Sequence, residues 1–188
     1  MSSALAEAPR RSLTRKQAET VQKLTDAAIE EVRKAGYEAM TVRSVAKRAG
    51  VAPATAYTYF ASKEHLVTEA FWRLLEALRE PKVTAKQTST RVRQAFADMA
   101  TLFVDMPELV AACTVAMVAD DAEVKELRDR VGHEIHRRFV AALPDADATT
   151  LEALDFAMSG ALLRAGTGHM SHADVPEKIA RIATRMSR

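Results

Sequence analysis

The chain has 188 residues, 48% hydrophobic and 28% charged, with six glycines and six prolines. That describes a folded chain of one or two domains and excludes disordered, collagenous and disulfide-framed classes. The formal net charge of +2 conceals an asymmetry: 13 Lys and Arg stand against 9 Asp and Glu up to Arg79, and 14 against 16 beyond it. A basic head of this kind suits a polyanion, while the remainder does not.

The single Cys113 fits a reducing compartment, and no apolar run approaches the ~18 residues of a membrane span. Met1 to Gln17 lacks the apolar core of a signal peptide, so the sequence predicts a cytoplasmic protein with no membrane partner. Alanine is abundant, aromatics are only 5%, and no segment keeps a period-two alternation, so an all-α fold is expected.

In chain order, residues 1–13, with Arg10 and Arg11, read as a flexible basic arm. Thr14 and Gln17 form a capping box, followed by Val21, Leu24, Ala28 and Val32 at helical spacing and by Gly36 where a helix stops. Thr41 suits the N-cap of a short helix that Gly50 ends, and Pro53 the first turn of another that runs to Tyr59. Two short helices joined through Ala49-Gly50-Val51 have the connection a helix-turn-helix needs. The second exposes Pro53, Ala54, Thr55 and Thr58 beside Tyr57 and Tyr59. That surface is narrow and nearly uncharged, shaped for a major groove, with Arg43, Lys47, Arg48 and Lys63 flanking it.

Ser62 should cap a longer helix, and the polar stretch Glu80 to Thr88 is a candidate joint. Beyond it, helices are expected over Val92–Phe103, Leu109–Met117, Val124–Phe139, Thr149–Gly166 and Pro176–Met186. The helix from Thr149 is apolar around most of its circumference, so it must be buried on two sides. The middle helices supply Trp72, Met99, Phe103, Cys113, Met117 and Phe156 as candidate lining of a ligand site. Few charges share those faces, which favours an apolar or amphipathic small molecule.

The string from Thr41 to Val51 together with Tyr57-Thr58-Tyr59-Phe60-Ala61-Ser62-Lys63-Glu64-His65-Leu66 resembles the DNA-binding signature of TetR-type transcriptional regulators. The match covers roughly residues 15 to 75. The resemblance implies a three-helix DNA-binding domain over 14–62 and a helical ligand-binding and dimerisation bundle over 63–188. It also implies that Thr41 touches a phosphate, that Arg43 reaches bases or backbone, and that Pro53, Ala54 and Thr55 face base edges. Tyr57, Tyr59 and Lys63 would grip phosphates. The last two helices would pair with a second copy through Leu151, Leu154, Met158, Leu162, Ile179 and Ile182, matching a palindromic operator. The function so implied is a homodimeric regulator, in the first instance a repressor released from double-stranded DNA by a small effector.

The sequence departs from the family pattern at Ala52, which leaves the recognition helix without a side-chain cap, and at Ala54 and Ala56. With Pro53 and Ala54 lacking side-chain donors, base reading should lean on thymine methyls and Arg43. His133 with His136 and His169 with His172 are three apart, yet neither pair has the accompanying ligands of a metal site. No metal or other cofactor is expected. An all-α enzyme or carrier is the rival reading, disfavoured by the lack of a phosphate loop, nucleophile elbow or zinc-protease motif.

Overall fold

The structure, a computed structural model, describes residues 14–186; the expected basic arm over residues 1–13 lies outside the described residues. Among the described residues the regular elements are ten α-helices and one 3-10 turn. They are α1 (Arg15–Ala39), α2 (Val42–Ala49), α3 (Pro53–Tyr59), α4 (Lys63–Glu76), α5 (Thr88–Ala95), α6 (Ala97–Asp105), α7 (Pro107–Ala116), α8 (Ala122–Ala142), α9 (Ala148–Gly166) and α10 (Val175–Met186). No single helix among them is long and apolar enough to cross a membrane.

Local chemistry sets the ends of the first four helices. Thr14 and Gln17 form the expected reciprocal capping box at α1. Thr41 and Ser44 form a second at α2, the Ser44 N–H donating to Thr41 Oγ1 at 3.0 Å and the Thr41 N–H to Ser44 Oγ at 3.1 Å. Gly36 breaks α1 at φ +78° and Gly50 ends α2 at φ +66°, both in the region that favours glycine. Nothing but Pro53 helps start α3, whose Ala52 N-cap makes no side-chain bond.

Apolar faces then converge. Leu24, Ala28 and Val32 of α1 meet Val45 and Ala46 of α2, Ala56 of α3, and Phe60 in one buried cluster. α4 continues it, packing against α1 on one side and α7 and α8 on the other. The core therefore runs unbroken through α4, while residues 77–87 form the irregular connection to α5.

The helix expected over Val92–Phe103 is two. The chain turns at Phe96 (φ −108°, ψ 9°), and the Ala95 carbonyl is taken by the buried Arg138 guanidinium at 2.8 Å. Glu134 holds the other side of Arg138 at 2.7 Å. Burial works to raise the Glu134 carboxyl, but hydrogen bonds from Arg137 and Arg138 hold it below its ordinary range. Phe96 packs on Phe139 with ring centres 4.8 Å apart. A second sharp bend, of 99°, separates α6 from α7 at Met106-Pro107.

Candidate nucleic-acid interface and apolar cavity

The α2–turn–α3 unit is held shut from inside. The Val51 N–H donates to Ala46 O at 3.0 Å, and Val42, Val45, Ala46 and Ala56 face the core. The outer side is left to Thr41, Arg43, Lys47, Pro53, Ala54, Thr55, Tyr57 and Thr58, all exposed, with Tyr59 half-buried. Thr41, Arg43 and Pro53 meet with Ser44 and Lys47 around a shallow cleft of about 480 Å³ between the start of α2 and the start of α3. Ser44 is the member that sequence reasoning missed. Its spacing from Thr41 is the available signal, since a Ser three residues after a Thr cap can complete a capping box.

Two of the flanking cations point elsewhere. Arg48 closes on the nearly buried Glu31 of α1 at 2.6 Å. Lys63 donates to Tyr37 O at 3.2 Å and to Glu38 O at 3.5 Å, with its ammonium 4.3 Å from the centre of the Tyr37 ring. The end of α1 thus engages Lys63, where the sequence pattern suggested a phosphate.

Beyond α4 lies an apolar cavity of about 520 Å³. Phe71 of α4, Val110, Cys113, Thr114 and Met117 of α7 and its C-cap, Val131 and Ile135 of α8, and Leu162 of α9 supply most of its wall. Cys113 and Met117 were expected there. Trp72, Met99 and Phe103 do not line it; Met99 and Phe103 are buried on α6 instead. Burial pushes the Cys113 thiol well up, so it is a neutral wall group. The polar lining groups are already bonded: Thr114 donates to Val110 O at 2.9 Å and Ser159 to Asp155 O at 2.9 Å. Arg128, the sole charged residue of the lining, donates to Met117 O at 2.7 Å and Ala119 O at 3.1 Å. Gly132 forms part of the wall, and a Cβ there would meet nothing within 4 Å.

The faces of α9 reverse two expectations. Phe156, expected in the ligand site, is 70% exposed and lies outside the cavity lining beside Gly160, while Ser159 and the 50% exposed Leu163 stand where that outer face meets the cavity's open edge. Leu154 and Met158, expected to meet a second copy, are buried in the chain's own core, as is Ile179 of α10. A side chain with no accessible surface has none to give a partner. Leu151 and Leu162 are half-buried and Ile182 is exposed. His136 pairs with Asp155 at 2.7 Å across α8 and α9, and His172 sits edge-on to Phe103.

This fold and interface have known counterparts. The profile of bacterial regulatory proteins of the tetR family matches residues 24–70, from within α1 through α2 and α3 to the middle of α4. The uncharacterized HTH-type transcriptional regulator Rv0767c of Mycobacterium tuberculosis is 41% identical over 173 residues, covering 89% of this chain and 80% of that protein. The chain belongs to the TetR family. Another relative is the HTH-type transcriptional repressor KstR of Rhodococcus jostii, 33% identical over 135 residues, 71% of this chain and 64% of KstR. Among solved structures, a TetR transcriptional regulator from Rhodococcus sp. RHA1 has a TM-score of 0.72 at 21% identity, covering 91% of this chain and 97% of that one. FadR from Bacillus subtilis in complex with stearoyl-CoA scores 0.61 at 14% identity, covering 87% and 97%. The protein is a TetR-family helix-turn-helix transcriptional regulator.

Proposed function

We propose that this TetR-family regulator is a cytoplasmic homodimeric repressor that binds a two-fold symmetric operator and leaves it when an elongated apolar molecule fills the cavity between α4, α7, α8 and α9. The head over 14–62 reads DNA and the rest of the chain binds effector and partner. Arg43, Pro53, Ala54 and Thr55 face the bases. Thr41, Tyr57, Tyr59 and the exposed Lys47 hold phosphates, while Lys63 serves the fold. The α9 face of Phe156 and Gly160 supports the dimer: an exposed aromatic stands beside a small residue that lets a second helix approach closely, with Ser159 and Leu163 at the edge this face shares with the cavity.

The cavity carries the effector reading. Its walls are apolar, its hydroxyls already have acceptors, and one cation stands on its lining, so it suits a hydrocarbon body with an anionic end near Arg128. Repression is supported by the similarity to KstR, and an acyl compound by the shared fold of FadR bound to stearoyl-CoA. The test is titration of lauroyl-CoA into a complex of the full-length protein with duplex DNA selected from a random pool, followed by anisotropy. Release at micromolar ligand is expected; DNA affinity unchanged at saturating, demonstrably bound ligand contradicts the effector role.

A further inference from the structure

Asp121 caps two helices at once. Its Oδ1 accepts the N–H groups of Glu123 at 2.9 Å and Val124 at 3.2 Å at the start of α8. Its Oδ2 accepts the Ser62 hydroxyl at 2.8 Å, and the oxygen of that hydroxyl accepts the His65 N–H at 3.0 Å at the start of α4. One carboxylate and one hydroxyl therefore tie together the N-termini of α4 and α8. The Ser62 hydroxyl foremost, and then the α8 N–H groups, hold the Asp121 carboxyl below its ordinary range. Among the described residues, this is the side-chain hydrogen bond that joins residues 14–62 to the chain beyond α4.

Asp121 also ends a short strap that leaves α7. Met117 and Val118 of the strap line the cavity, as does Arg128, which grips the carbonyls of Met117 and Ala119. Tyr37 and Gln22 also bond to Glu64 and Arg73, but these bonds end on α4 itself; beyond α4 the head meets α7 through packing of the shared apolar core, which is non-directional and survives small sliding. A hydrogen bond does not: lengthening by about 1 Å takes it out of bonding range. A displacement at Met117 or Arg128 thus meets, four residues on, the one contact most sensitive to displacement.

We infer that Ser62 and Asp121 are positioning residues that pass occupancy of the apolar cavity to the DNA-reading head, with Arg128 and the strap over 117–121 as the moving part between them. Filling the cavity shifts the strap, parts Asp121 from Ser62 and frees the first turn of α4 with the head attached to it. This rests on reading the cavity as the effector site. Coupling of this kind requires an element with two discrete arrangements that both sites bias, and the strap is that element.

Hydrogen–deuterium exchange on the full-length protein tests it without DNA or effector. Asp121→Ser keeps an oxygen to cap α8 but is too short to reach Ser62, and it leaves the Ser62 cap on α4 in place. Gly132→Leu and Cys113→Phe put side-chain volume into the cavity from opposite walls. Each of the three should speed exchange in the first turn of α4 about fivefold to tenfold, the loss of one hydrogen bond. Either filler combined with Asp121→Ser should add nothing further. Unchanged α4 exchange in Asp121→Ser overturns the inference even if a filled variant fails to fold, and so does full additivity in the double variants. Failure of lauroyl-CoA to release DNA strikes the effector reading, whereas these exchange results strike the coupling.

Discussion

The Lys63 ammonium lies 4.3 Å from the centre of the Tyr37 ring and donates to the Tyr37 carbonyl at 3.2 Å. The adjacent Glu64 accepts the Tyr37 phenol at 2.9 Å, so the first turn of α4 holds Tyr37 at both its backbone and its ring. Lys63→Ala should therefore lower stability by about 1 kcal/mol in urea unfolding, the sum expected for a cation at a helix end and over a ring. The salt dependence of DNA binding should keep its slope. A slope reduced by about one would return Lys63 to the phosphates.

Burial foremost, then the hydrogen bond and charge of Glu64, push the Tyr37 phenol above its ordinary value. A raised acid is favoured in its neutral form by folding, so its contribution is complete below the unfolded value of about 10 and is lost as pH rises beyond it. Unfolding free energy should fall from about pH 10 upward, and Tyr37→Phe should flatten that fall. Equal alkaline slopes for the two proteins would contradict the assignment.

Two glycines should answer the same substitution with opposite signs. Gly132 sits inside α8 with open space around its missing Cβ, so Gly132→Ala should stabilise by about 0.5–1 kcal/mol. At Gly166 a Cβ would stand 2.6 Å from Thr114 Cγ2 where α9 crosses α7, so Gly166→Ala should destabilise. Chemical denaturation of both variants checks the pair.

The proposed dimer should sediment as such in the parent protein, and Phe156→Glu on α9 should dissociate it with little loss of monomer stability, because the side chain is exposed within one chain. Leu154→Ala should do the reverse, costing about 2–5 kcal/mol of folding free energy without a specific effect on association. An unaltered dimer in Phe156→Glu would place the interface elsewhere.

Much of the head was legible because its signals are local. Thr14, Thr41 and Ser62 cap the helices they precede, Gly36 kinks α1 three residues before its end, and Gly50 ends α2. The break at Phe96 was not legible, since the carbonyl freed there is satisfied by Arg138, 43 residues away. Nor could sequence sort the faces of α9: a helix apolar on most sides gives no direction, and packing on α7 and α8 decided that Leu154 points in and Phe156 out. The cavity is harder still, because it is defined by where side chains leave space. A glycine at 132 beside an apolar stripe was its faint trace.

At the DNA, Arg43 and Lys47 flank one cleft but should behave differently. Arg43→Ala should cost about 1–3 kcal/mol on the preferred sequence and relax the preference at its position. Lys47→Ala should weaken all sequences alike and reduce the salt slope by about one. Anisotropy on preferred and scrambled duplexes, across a salt series, separates the two.

The most direct measurement is selection of duplexes from a random pool by the full-length protein, followed by titration of the enriched sequence at fixed salt. A two-fold symmetric motif is expected, bound about 10³-fold or more tighter than a scrambled duplex of equal length. No enrichment, or equal affinity for the enriched and scrambled duplexes, would contradict it.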